Sequence, residues 1–174
     1  KKGYIDLVPV PFARIPVISA RCPRTSIAFD ICMDNARAVE NSTLLKEYAS
    51  LDNRVRDLIL LVKVWAKANR IGSARFSMLS SYSWSILVIF FLQRIDFVPN
   101  LQCHSFIKAH QSLEDICVDS RCDKFLSAIE VLSAGIWKPP NSTITISSLL
   151  FGFFSFYHTK YDSKHFTISV RLAN

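Results

Sequence analysis

Between residues 26 and 34 apolar and polar side chains alternate. Ile27, Phe29, Ile31 and Met33 fall on one side, and Ser26, Ala28, Asp30, Cys32 and Asp34 on the other. A period of two is the geometry of an extended strand, whose successive side chains point to opposite faces. Residues 12–18 are also extended in character, because Pro11 and Pro16 disfavour a helix. A turn-like stretch at residues 20–25 joins the two segments. The pattern predicts a hairpin with one face buried and one face carrying carboxylates.

From Ala36 onward the period becomes helical. Asn41, Ser42 and Thr43 precede Leu44 and Leu45, which predicts either a helix cap or a helix that continues through them. Residues 54–70 are the most informative segment. At a helical rotation of 100° per residue, Arg56, Lys63, Lys67 and Arg70 fall within an arc of about 60°. Val55, Leu58, Ile59, Leu60, Leu61, Val62, Val64, Trp65 and Ala66 fill most of the remainder. The expectation is a mostly buried helix with one basic stripe. Placing Lys beside so much apolar surface is costly unless an anion compensates it. Periodicity leaves two accounts open. The plainer one is a solvated face, or pairing with Asp or Glu elsewhere; the other is a cleft helix that offers ammonium groups to phosphates.

Further along, residues 79–92 read as a buried helix and residues 96–104 as a loop. A helix is predicted around residues 123–134, Pro139 and Pro140 interrupt the chain, and residues 147–157 read as another helix. Residues 165–171 alternate, with Phe166, Ile168 and Val170 on one side, which predicts a short strand. No internal repeat is visible. The organisation expected is α+β: a strand-rich opening at residues 1–35, then a mostly helical domain at residues 36–174.

Composition narrows the function classes. The chain has 174 residues, half of them hydrophobic, with 4 Gly and 7 Pro, which excludes collagen-like and low-complexity chains and allows one ordinary core. A net charge of +7 and a pI of about 9.3 suit an anionic partner such as nucleic acid or nucleotide. The 5 Cys lie at positions 22, 32, 103, 117 and 122 without a C-x-x-C, so reduced thiols in an intracellular compartment are expected rather than a disulfide framework. Cys103, His104, His110, Cys117 and Cys122 share one stretch, but their spacing matches no familiar zinc pattern, and idle thiols and surface histidines are the expectation. The uncharged window at residues 76–93 approaches transmembrane length. It holds 5 Ser, and its continuous apolar run covers only residues 86–92, so a buried helix and no membrane partner are expected.

Several segments together resemble one family. Leu61-Val-Lys-Val-Trp-Ala-Lys67, then Met78-Leu-Ser-Ser-Tyr82 and Ile86-Leu-Val-Ile-Phe-Phe-Leu-Gln93, are similar to the central domain of terminal uridylyltransferases and related cytoplasmic-type poly(A) polymerases of the DNA polymerase β-like superfamily. Ala13-Arg-Ile-Pro-Val-Ile18 resembles the strand before the third catalytic Asp, Phe29-Asp-Ile31 the strand bearing it, and Val39-Glu-Asn-Ser-Thr-Leu-Leu45 the helix after it. Pro99-Asn-Leu-Gln102 resembles the loop after the long helix. Ile146-Ser-Ser-Leu-Leu-Phe-Gly-Phe-Phe154 and Ile168-Ser-Val-Arg171 resemble the poly(A)-polymerase-associated module. The combination is specific, although each piece by itself is not, and residues 103–140 contribute least.

The resemblance implies an RNA 3′-terminal nucleotidyltransferase that adds UMP or AMP from UTP or ATP, with Mg²⁺ or Mn²⁺ as cofactor. Asp30 would be the third carboxylate of its metal-binding triad. Lys63 and Lys67 would contact the triphosphate, and Asn41 and Ser42 would lie near the ribose and triphosphate. Ser81 would meet a phosphate, and Tyr82 would stack on the nucleobase. The partners implied are the RNA 3′ end, the nucleotide and protein components of an RNA-processing complex, in the cytoplasm or a mitochondrion. The family's first two carboxylates sit in a Gly-Ser turn followed by D-x-D. Gly72-Ser73 is no substitute, because no acidic residue follows before Asp96. The expectation is therefore a C-terminal part of a longer enzyme, inactive by itself, with the base-selecting loop beyond Asn174. The alternative is a non-catalytic RNA- or partner-binding module of the same family.

Overall fold

A computed structural model of the chain describes residues 5–12, 15–72, 78–103, 125–141, 143–162, 164–165 and 167–172. Two compact units, Lys1–Ser42 and Thr43–Asn174, divide it inside a helix.

The first unit is built on a three-stranded antiparallel sheet of β1 (Ile5–Val10), β2 (Val17–Arg21) and β3 (Ala28–Cys32), in the order β1-β2-β3. The predicted hairpin is β2–β3, and β1 is an additional strand at the sheet's edge. Pro9 lies in β1, a position the edge tolerates because a strand there has one side without a ladder. Residues 13 and 14, within the segment predicted as a strand, lie outside the described residues. The register pairs Ser19 with Asp30 and Ala20 with Phe29, so the alternation read from residues 28–32 does divide two faces. The expected burial of the apolar face is not found. Ile18 and Ile31 remain 47% and 48% exposed, and Ala20 is its one buried residue among those described. Strand periodicity identifies a face, but only a second layer laid over it removes the face from water.

α1 (Ala36–Leu51) runs through the Asn41–Thr43 triplet without a break, with the Ser42 hydroxyl donating back to the Ala38 carbonyl at 2.8 Å. Its buried residues, Leu44, Tyr48 and Leu51, lie in the second unit. There follow α2 (Asn53–Ala68), α3 (Ser81–Arg94), α4 (Ala128–Ser133) and α5 (Ile146–Thr159). Short polar side chains stop and start these helices as their chemistry requires. Asp52 caps α2, Ser80 caps α3 and Thr145 caps α5, while Ser127 and Glu130 form a reciprocal capping box at α4. The core joins Leu58 and Val62 of α2, Ile89 and Leu92 of α3, Phe97, Leu101 and Phe153. α2 departs from the mostly buried helix its composition predicts. Val55, Leu58, Ile59, Val62 and Ala66 form its inward stripe, and Leu60, Leu61, Val64 and Trp65 are exposed.

The Tyr48 hydroxyl organises the centre of this unit. It accepts from the Gln93 side-chain amide at 2.8 Å and from the Leu101 backbone N–H at 3.1 Å. Burial holds the phenol above its ordinary pKa. Tyr48→Phe keeps the ring and removes the acceptor, leaving two buried donors short of a partner. It should lower unfolding free energy by about 2 kcal/mol, read as a lower denaturant midpoint with an unchanged m-value. An unchanged midpoint would show that the two donors find other acceptors.

The strand expected at residues 165–171 is not a strand. Residues 167–169 are irregular and a turn follows, with Phe166 outside the described residues. The Val170 carbonyl accepts from Gln93 at 3.0 Å and the Arg171 carbonyl from Asn100 at 2.7 Å. Side chains, rather than a neighbouring strand, take up this backbone. No helix of the described residues is long and apolar enough to cross a membrane. His104, His110, Cys117 and Cys122 lie outside the described residues, as does the start of the helix expected at residue 123.

Candidate nucleotide site

α2 and α3 border a cleft of about 600 Å³ within the second unit, a size suited to a small-molecule ligand. Helical spacing explains the α2 side. Leu60, Lys63, Val64 and Lys67 stand at i, i+3, i+4 and i+7, which places them along one face. Ala66, Gly72 and Trp84 give apolar wall, and Ser81 enters from the first turn of α3. The Trp84 indole N–H donates to the Ile71 carbonyl at 3.3 Å. Trp65 packs edge-on to Trp84 at 5.7 Å and to Phe154 at 4.6 Å between ring centroids. These aromatic contacts tie α2, α3 and α5 behind the cleft.

Three cations line it: Lys63, Lys67 and Arg70. None makes an ion pair or hydrogen bond through its side chain among the described residues, whereas Arg56, the fourth member of the stripe, bonds Asp57 at 3.0 Å. Of the plainer account, carboxylate pairing therefore applies to Arg56 alone, while Lys67 and Arg70 are solvent-exposed and Lys63 half-buried. The N-terminal end of α3 also borders the cleft through Ser81, and there the Ser80 side chain accepts from the Ser83 N–H at 3.0 Å. A helix N-terminus carries partial positive charge. Cations and a helix N-terminus around a partly apolar cleft make an arrangement that binds anions.

The end of α2 shapes the same cleft. The Arg70 N–H donates to Lys67 O at 3.1 Å and the Ile71 N–H to Ala66 O at 3.0 Å, the pair of bonds that closes a Schellman motif. Arg70 stands at the left-handed position of that motif, with φ 60°. Glycine is the usual occupant there, and a side chain costs about 1 kcal/mol or more.

Of the residues singled out from sequence, Lys63, Lys67 and Ser81 line this one cleft. Tyr82, next in α3 and 36% exposed, is adjacent to Ser81 in the first turn. Asp30, Asn41 and Ser42 belong to the other unit. Asp30 lies in β3, exposed, and accepts from the Ser19 hydroxyl at 2.6 Å. A divalent cation takes about six oxygen ligands. Asp30 suits one of these positions, and among the described residues no three potential ligands are grouped. The wall residues Leu60, Val64 and Trp84 were not anticipated, because an apolar residue on a helix reads as core until the packing is known.

The chain's first 50 residues match the family model for the mitochondrial-like poly(A) RNA polymerase central palm domain. Over 98% of its length the chain is 33% identical to the human poly(A) RNA polymerase GLD2, of which it spans 34%. Over 97% of its length it is 30% identical to human terminal uridylyltransferase 7, of which it spans 11%. A solved structure of the Cid1 poly(U) polymerase with Mg 3′-dATP bound superposes with a TM-score of 0.77 at 30% identity, covering 98% of this chain and 51% of that one. The chain thus spans about a third or less of the two curated relatives and about half of that solved chain. By sequence and α+β fold, it belongs to the template-independent RNA terminal nucleotidyltransferases, the family of poly(A) RNA polymerases and terminal uridylyltransferases.

Proposed function

We propose that the protein containing this chain adds UMP or AMP to RNA 3′ ends, taking UTP or ATP into the cleft between α2 and α3. The observation that carries the reading is the set of three side-chain cations lining that cleft without a carboxylate partner among the described residues. Held together, they repel one another, and a polyphosphate relieves that repulsion. In this reading Lys63 and Lys67 hold the triphosphate and the Ser81 hydroxyl donates to a phosphate oxygen. Tyr82 stacks on the base, while Asn41 and Ser42 contact the sugar and triphosphate. Asp30, on the sheet of residues 1–35, is the third carboxylate beside the attacking hydroxyl, where it serves as a metal ligand or proton acceptor. Mg²⁺ or Mn²⁺ would lower the pKa of the RNA 3′-hydroxyl and stabilise charge on the leaving oxygens.

The test incubates the full-length protein with labelled RNA, Mg²⁺ or Mn²⁺ and one ribonucleotide at a time. Extension with UTP or ATP is expected, and the nucleotide that works identifies the base preference. No extension with any nucleotide, while RNA still binds, would point instead to a non-catalytic RNA-binding relative.

A further inference from the structure

Arg70 combines two features that a surface arginine does not need. Its side chain lines the cleft with Lys63 and Lys67, and its backbone is left-handed, with φ 60°. Among the described residues the other positive-φ positions apart from glycine are Asp6, Ser26, Asp34 and Asp96. Each has a short polar side chain able to hydrogen-bond its own backbone, which makes the conformation tolerable. Arg70 has no such compensation, and glycine is the favoured residue at the position it holds. A strained residue persists where the surrounding structure or a function retains its side chain. The guanidinium forms no ion pair or hydrogen bond among the described residues, so no internal contact explains it. One structural role remains, favourable interaction with the negative end of the α2 dipole, and it makes the opposite prediction for stability.

We infer that Arg70 is a third phosphate-binding residue of the cleft, a guanidinium that receives the triphosphate of the incoming nucleotide beside Lys63 and Lys67. This inference rests on the function proposed above. Gly72, two residues beyond the left-handed Arg70, lines the same cleft. A planar guanidinium donates two parallel hydrogen bonds to one phosphate, whereas each lysine acts as a point charge. The two residue types therefore supply different parts of the same recognition: lysines neutralise charge, and the arginine fixes orientation.

The experiment uses the full-length protein as wild type, Arg70→Gly and Arg70→Lys. It measures binding of a fluorescent-labelled UTP or ATP, binding of an RNA oligonucleotide, and the melting temperature. Arg70→Gly should weaken triphosphate binding about tenfold, leave RNA affinity unchanged and melt no lower than wild type, because glycine relieves the backbone strain. Arg70→Lys should recover part of the affinity while keeping the strain. Unchanged triphosphate affinity in Arg70→Gly overturns the inference, and a lower melting temperature with it assigns Arg70 to the helix dipole. Lost RNA affinity with intact triphosphate binding also overturns it. A wild-type protein that binds no triphosphate is a separate failure, which removes the proposed function and this inference with it.

Discussion

Asp30→Asn in the full-length protein is expected to reduce RNA extension by about 10³-fold or more, with the fold intact. Asp30 sits at the middle of β3, paired across the sheet with Ser19, and its Oδ1 accepts from the Ser19 hydroxyl at 2.6 Å. Asparagine has nearly the same shape and keeps an oxygen for that hydrogen bond, so the register of β2 and β3 has no reason to change. The substitution removes the negative charge. An amide oxygen is a poor ligand for a divalent ion beside phosphates and a far weaker proton acceptor than a carboxylate. Extension of labelled RNA, followed together with a melting curve, separates the two effects. Full activity with a normal melting curve would place the catalytic carboxylate on another strand.

Arg54→Ala carries the largest expected effect on stability. The Arg54 guanidinium donates to both Asp52 oxygens, at 3.0 Å and 2.7 Å. It also reaches the carbonyls of Pro140 at 3.0 Å, Asn141 at 3.0 Å and Ile144 at 2.9 Å, and lies 4.8 Å from the Phe97 ring centre. One side chain thus fastens the start of α2 to the segment that leads into α5. The pair is mostly shielded, at 20% and 11% side-chain exposure. Removing one partner of such a pair leaves a charge and three carbonyls without their donor, a loss of about 3 kcal/mol. Chemical denaturation should show a midpoint lowered accordingly. The pH dependence follows from the carboxyl's shift. Hydrogen bonds from Arg54 hold Asp52 below its ordinary carboxylate pKa, against a smaller opposing effect of burial. The unfolded chain therefore binds a proton at Asp52 more readily than the folded one. The stabilisation is fully present above the ordinary carboxylate range, about pH 4, and is lost as pH falls through the lower folded value. Arg54→Ala should flatten that acid limb, and a limb as steep as wild type would assign the acid sensitivity to other carboxylates.

Local periodicity in the sequence already specified β3, α2, α3 and α5, because each depends on interactions within a few residues. The alternation around Asp30 is a strand's own geometry, and the arc of Lys63, Lys67 and Arg70 is a helix's. The polar residues before α2, α3 and α5 mark their starts by chemistry that operates over one turn. The family resemblance was also legible, since Leu61–Lys67 and Met78–Tyr82 are contiguous motifs. The tertiary structure decided what depends on distant partners. Residues 165–171 alternate as a strand would, yet Gln93 and Asn100 take their carbonyls. β1 (Ile5–Val10) falls in the opening read as strand-rich, but its bounds and its pairing, with Pro9 inside it, are set by β2 lying beside it. Leu60 and Val64 read as core and are instead cleft wall. The stripe on α2 could have been neutralised by carboxylates from anywhere in the chain. Coulomb pairing acts between groups close in space, and sequence separation does not report that distance. Only the fold shows that Arg56 has Asp57 while Lys63, Lys67 and Arg70 face a cleft together.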